Sequence, residues 1–197
     1  MPAPAGCGAR VRVRIIELVA DSLVTHEGEA ELPVRDGFIL PDPEQDIVRL
    51  AVVERHRGTG HVGLGFVRGL GLRRGVLATT VSHDSHNLIL AGLDPTQLAA
   101  AAARLAELGG GMLALDDDGT GTELPLPVAG LMTGLGLEAT ARGKAALLAG
   151  AARLGSPLRN PFMTLSFLAL PVIPDLKLTT RGLFDARQFQ NVPLCLD

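Results

Sequence analysis

With 197 residues, a net charge of −3 and a pI near 5.9, the chain is the size of one domain with a real core and carries no excess of positive charge for nucleic acid or an anionic membrane. Its basic residues are scattered, Arg73-Arg74 being the densest pair, and six Phe with no Tyr or Trp leave no platform on which bases could stack. Cys7 and Cys195, near opposite ends, give neither a disulfide framework nor a zinc pattern. The start, "MPAPAGCGAR", lacks the charged head and apolar run of a signal peptide, and no segment approaches the ~18 apolar residues of a membrane span, so a cytoplasmic location is expected.

Residues 1–9, rich in Pro, Ala and Gly, are expected to be a disordered tail ahead of one compact domain over 10–197. "VRVRIIELV" (11–19) alternates Val and Arg as a half-exposed strand does. Residues 23–40 read as a strand, a glycine turn and further extended chain, which Pro41 and Pro43 end. "DIVRLAVVERH" (46–56) is rich in β-branched residues and predicts a strand. In 58–75, Val62, Phe66, Val67 and Leu70 fall at helical spacing. Gly63, Gly65 and Gly69 would each cost that helix about 1 kcal/mol relative to Ala, so it needs tertiary support or close approach to another backbone. Residues 75–92 read as strand, polar loop and strand.

"DPTQLAAAAARLAELGGG" (94–111) is the clearest helix, with Asp94 as N-cap, Pro95 at the first helical position, Gly109 to end it, and a stripe of Leu98, Ala102, Leu105 and Leu108. Residues 112–128 predict a hairpin around the acidic turn "DDDG", and 138–155 a second long helix. The last forty residues, broken by Pro157, Pro161, Pro171, Pro174 and Pro193, read as irregular chain and short strands. Met112, Met132 and Met163 are expected as core filler. Strands interleaved with two to three helices predict a mixed α/β (α+β) layer architecture.

The chemistry gathers in "TTVSHDSHNLIL" (79–90), where Ser82, His83, Asp84, Ser85, His86 and Asn87 lie between two apolar strands. If this loop is extended, His83 and Ser85 share one face and Asp84 and His86 the other. Two imidazoles and a carboxylate suit a divalent transition metal, with His83 and His86 as its ligands. They equally suit a proton relay, a polar ligand held by Ser82, Ser85 and Asn87, or a strand junction whose side chains satisfy one another. "ERHRGTGH" (54–61) is a second cluster, emerging at a strand end. There Glu54, His56 and His61 either join the first cluster or form a surface ion pair beside two solvated histidines. Its glycines do not have the spacing of a dinucleotide loop, and no Gly-x-Ser-x-Gly elbow, Walker loop or His-x-His pair occurs in the chain.

Four stretches resemble one family: "VVERHRGTGHVGLGFVRGLGLRRGVLATTVSHDSHNLILAG" (52–92), "LAELGGGMLAL" (105–115), "ELPLPVAGLMT" (123–133) and "PFMTLSFLALPVIPDLKLTTRGLFD" (161–185). The chain is similar, from about residue 46 onward, to the C-terminal domain of bacterial adenine deaminases, purine-metabolic hydrolases of the amidohydrolase superfamily. The resemblance implies hydrolysis of adenine to hypoxanthine and ammonia at a binuclear divalent metal centre, manganese or iron, in an N-terminal barrel. With no His-x-His pair and too few residues for a barrel, the chain looks like the C-terminal domain alone, inactive by itself, with no cofactor of its own and the barrel as partner domain or subunit. In that setting His83, Asp84 and His86 are the candidate catalytic residues. Ser82, Ser85 and Asn87, with Glu54, Arg55 and His56, are candidates for contact with adenine. The alternative is a stand-alone purine- or metal-binding module without deaminase activity. Either way a domain built to dock should show an apolar face when alone, so self-association is expected.

Overall fold

The computed structural model describes residues 1–20 and 22–196. The strands β1 (Arg10–Leu18), β2 (Thr25–Arg35), β3 (Phe38–Ile39), β4 (Ile47–Val53), β5 (Val62–Arg68), β6 (Val76–Thr79), β7 (Leu88–Gly92), β8 (Gly111–Leu115) and β9 (Gly121–Pro125) form one sheet in the order β3-β2-β1-β5-β4-β7-β6-β8-β9. All neighbours are antiparallel except β1 and β5, so the fold is mixed α+β, as the interleaved pattern predicts. A second sheet holds β10 (Leu176–Thr179), β11 (Gly182–Asp185) and β12 (Gln190–Asn191). Three helices complete the structure: α1 (Pro95–Glu107), α2 (Leu137–Arg153) and α3 (Pro161–Phe167).

Alternation decides which face each strand buries. In β8, Leu113 packs with Leu98, Ala101 and Leu105 of α1, whereas its neighbour Ala114 packs with Leu147 and Ala151 of α2. The helices α1 and α2 therefore lie on opposite faces of the sheet. On the α2 face, α3 and the small sheet extend the cover through Phe162, Leu165, Leu176, Leu178 and Leu183. At the far edge, Val11, Val13 and Ile15 of β1 join Leu32, Ile39, Ile47 and Phe66 in a separate buried cluster. The arginines between them reach Glu27, Glu29 and Glu31 of β2, diagonal ion pairs on an exposed face worth about 0.2–1 kcal/mol each.

Two expectations change. Residues 58–75 are not a helix: Val62–Arg68 is a strand paired along all of β4. The reason lies over a hundred residues away. A Cβ on Gly63 would stand 1.8 Å from the Thr179 carbonyl oxygen, and one on Gly65 3.2 Å from Leu183, so these glycines let the β10–β11 sheet lie directly on β5. In 23–40 the strand, glycine turn and further extended chain are as expected, the turn falling at Asp36-Gly37, between Arg35 and Phe38, while the chain runs straight through Gly28. Residues 1–9, expected as a disordered tail, run beside that hairpin. Ala3 N–H donates to Gly37 O at 2.8 Å, Ile39 N–H to Met1 O at 2.8 Å and Val34 N–H to Ala9 O at 2.8 Å. Their backbone groups find partners on the short edge strand, which composition alone does not reveal.

Candidate functional site

The polar loop leaves β6 at one end of the sheet and returns as β7. It is not extended. The loop turns so that the His86 N–H donates to Ser82 O at 2.6 Å, with His86 at φ 49°. The expected alternation of faces is lost, and the turn brings the His83 and His86 rings together, 5.7 Å between centroids and edge to face. The His83 ring also lies 4.6 Å from that of Phe167 at the end of α3, and its backbone N–H donates to Ser166 O at 3.0 Å. Asp84 and Ser85 are exposed; His83, His86 and Asn87 are half-buried; Ser82 is fully buried.

The second cluster builds the platform under this loop. Arg55 donates from Nε to His86 O at 2.6 Å and from Nη2 to Ala129 O at 2.8 Å, tying the loop to the 128–133 turn. The His56 ring meets Ser85 O at 2.7 Å, and because a carbonyl only accepts, Nε2 carries the proton. Glu54 accepts from the backbone N–H groups of Thr59, Arg57 and His56, which hold its carboxyl down to about 2 and so fix the bend after β4. His61 is exposed, with its backbone carbonyl paired to Glu54 N–H. Thr80 Oγ1 donates to Gly130 O at 2.6 Å and accepts from Gly111 N–H at 2.8 Å. Gly130, at φ 73°, allows this crossing, since a Cβ there would stand 2.7 Å from the Arg55 guanidinium.

Among the described residues, five buried side-chain polar atoms lack a hydrogen-bond partner, and three of them, Ser82 Oγ, His86 Nδ1 and Asn87 Oδ1, belong to this loop. Such atoms cost about 1–3 kcal/mol each when unpaired, so their concentration marks the loop as more than a self-satisfied junction. Burial pushes the His86 imidazole down from its ordinary value, and the nearby charges of His83 and Arg55 push the same way against Asp84. His86 therefore stays neutral at pH 7 and can accept or donate one proton. A groove of about 310 Å³ opens beside the loop, lined by Asp84, Ser85 and Asn87 on one side and by Val172, Thr179 and Thr180 on the other. Among the described residues no three His, Cys, Asp or Glu side chains converge as a metal-binding set.

Comparison with known proteins shows the family. A family described as the adenine deaminase C-terminal domain matches residues 22–190. The chain belongs to that family. It is 46% identical over 192 residues to an adenine deaminase of Moorella thermoacetica, with 98% of the chain and 32% of the relative covered. Similar values hold for adenine deaminases of Desulfatibacillum aliphaticivorans, 46% over 93% of the chain, and Bacillus licheniformis, 45% over 92%, each with 32% of the relative covered. The chain thus spans about a third of the length of the curated relatives it matches, as expected of their C-terminal domain. No helix among the described residues is long and apolar enough to cross a membrane.

Sequence reasoning missed α3, which supplies Phe167 and Ser166 to the site. Its signal was present in "NPFMT": Asn160 caps with Oδ1 accepting from Met163 N–H, and Pro161 takes the first helical position. Two of the three methionines read as core filler are on the surface, Met132 at 59% and Met163 at 44% exposure.

Proposed function

We propose that this domain supports the hydrolytic deamination of adenine to hypoxanthine and ammonia, together with a separate catalytic portion that carries the metal. In this reading the loop Ser82–Asn87 faces the purine. Water adds at C6 and the exocyclic nitrogen leaves as ammonia, chemistry that the barrel's divalent metal, manganese or iron, supplies. The part of this chain is to bind, orient and exclude water. Asp84 and Ser85, at the exposed turn, are placed to meet polar edges of the base. Neutral His86, steadied by Arg55 at its carbonyl, offers one ring nitrogen as donor or acceptor. His83, held against Phe167, limits how far the loop can move. Glu54, Arg55 and His56 act by fixing the loop's backbone. A cytoplasmic location fits a purine-metabolic hydrolase of this kind.

The observation that carries the reading is the concentration of unpartnered buried polar atoms in the one loop that holds His83, Asp84 and His86. The experiment joins these 197 residues to the preceding two-thirds of the Moorella relative and substitutes His83→Ala, Asp84→Asn and His86→Ala one at a time. A drop in kcat/KM for adenine of about 10²-fold or more for Asp84→Asn or His86→Ala, at an unchanged unfolding midpoint, is the expected result. Unchanged turnover with unchanged folding removes the loop from the reaction. Purine binding by the 197 residues alone, without any dependence of turnover on the loop, would favour a stand-alone binding module.

A further inference from the structure

Exposed apolar side chains surround the polar loop. Val128 at 49%, Met132 at 59% and Leu135 at 52% exposure lie on the segment that Arg55 and Thr80 tie to the loop and that leads into α2. Leu137, at 86%, opens α2 itself. Met163 comes from α3, and Val172, at 66%, lines the groove on the loop's other side. Between α2 and α3 lies a second groove of about 270 Å³, which takes in Met163 from this set and whose walls also include Val81, Leu131, Leu147 and Phe162, with Lys144 as its charged member. Val81 directly precedes the loop, so the groove and the polar turn share one end of the molecule. This collar of exposed apolar side chains, on segments that hold or flank a polar centre with unpaired atoms, has the composition of an interface rather than of a free surface.

The occupant follows from length and from where the family resemblance falls. This chain matches a third of its relatives and bears the name of their C-terminal domain, so in them a portion about twice as long precedes it. The stretches "HDSHN", "AGLMT" and "PFMTLSFLALPV", which carry the resemblance, lie at this end, and the last two contribute Met132, Met163 and Val172 to the collar. We propose that this end is the seat of the catalytic portion that precedes the domain, and that the groove between α2 and α3 receives an apolar side chain from it. The inference rests on the functional reading above and places its partner. A competing apolar groove of about 260 Å³ lies on the other face, beside Val62, Leu64 and α1, but no residue of the polar loop lines it.

The test is hydroxyl-radical footprinting of the free 197-residue chain and of the same residues joined to the preceding two-thirds of the Moorella relative, read by mass spectrometry. Met132, Leu137, Met163 and Val172 should be oxidised at least several-fold more slowly in the joined chain. Phe189, exposed elsewhere at 71%, serves as the unchanged reference. A Met132→Ser, Leu137→Ser joined chain should restore reactivity at Met163 and Val172. Protection confined to Val62 and Leu64, or none at all in the joined chain, overturns the proposal. Concentration-dependent protection of the collar in the free chain that exceeds protection in the joined chain also overturns it, by making a second copy the occupant. Protection at the collar with adenine turnover indifferent to the loop variants would uphold the docking face and sink the functional reading. Loss of turnover in those variants without protection does the reverse.

Discussion

The helices α1 and α2 lie on opposite faces of one sheet and close it unequally. Asp94 caps α1, accepting from Thr96 N–H at 2.6 Å and Gln97 N–H at 3.3 Å, with Pro95 at its first position, and Leu98, Ala101 and Leu105 are buried over β6, β7 and β8. By contrast, α2 starts at Gly136 with no side-chain cap, exposes Leu137 and leaves a groove between itself and α3. The first face has a capped helix and a buried seam, and its groove of about 260 Å³ beside Val62 and Leu64 lies away from the polar loop. The second carries its surplus apolar surface at the end where the polar loop also has unpaired atoms. Good closure and poor closure within one fold separate what stabilises the domain from what it offers to a partner.

The largest expected effect that can break this comparison is in the core of the closed face. Leu105→Ala should cost about 2–5 kcal/mol in urea unfolding of the free chain, while Leu137→Ala should stay within about 0.5 kcal/mol. Equal losses would mean that the α2 end is packed as tightly as the α1 face. The buried cations give a second test. Arg49 donates to two carbonyls, Ile39 O and Leu93 O, whereas Lys177, fully buried in β10, donates to Leu23 O and is pushed down to about 8 by burial against the pull of Asp175. Between pH 8 and 10.5 the unfolded chain then binds more protons than the folded one, so stability should rise with pH across that window, by on the order of 2 kcal/mol, and level off below it. A flat profile for the parent, or an unchanged rise in Lys177→Met, would show that Lys177 is not the source. Asp94→Ala should cost about 1 kcal/mol as the α1 cap is lost. Gly136 has an extended φ and open space around its Cβ position, so Gly136→Ser should stabilise α2 by a few tenths of a kcal/mol. A thermal melt that ranks these two changes the other way would remove the contrast in capping.

Much of the fold was legible where the information is local. The β-branched run of β4 and the Asp-Pro start of α1 state their structures within a few residues. The strand β5 was not legible, because the reason for Gly63 and Gly65 is the backbone of Thr179 and the side chain of Leu183 lying on them. The site was legible as a cluster of residue types and not as a geometry. His83 and His86 looked as if they pointed to opposite faces until the turn at Ser82 paired them. The scaffolding role of Arg55 was hidden for the same reason, since its partners are backbone carbonyls at residues 86 and 129 that leave no mark in sequence. Prolines that read as irregular chain concealed α3, one of them being its own N-terminal residue.

Adenine turnover by these 197 residues joined to the preceding two-thirds of the Moorella relative, assayed with manganese, tests the central claim most directly. The account predicts release of hypoxanthine and ammonia at a rate comparable to that of the parent enzyme, and its loss when the same chain stops short of this domain. Equal turnover by the shortened chain, or none by a joined chain that is folded and metal-loaded, would contradict it.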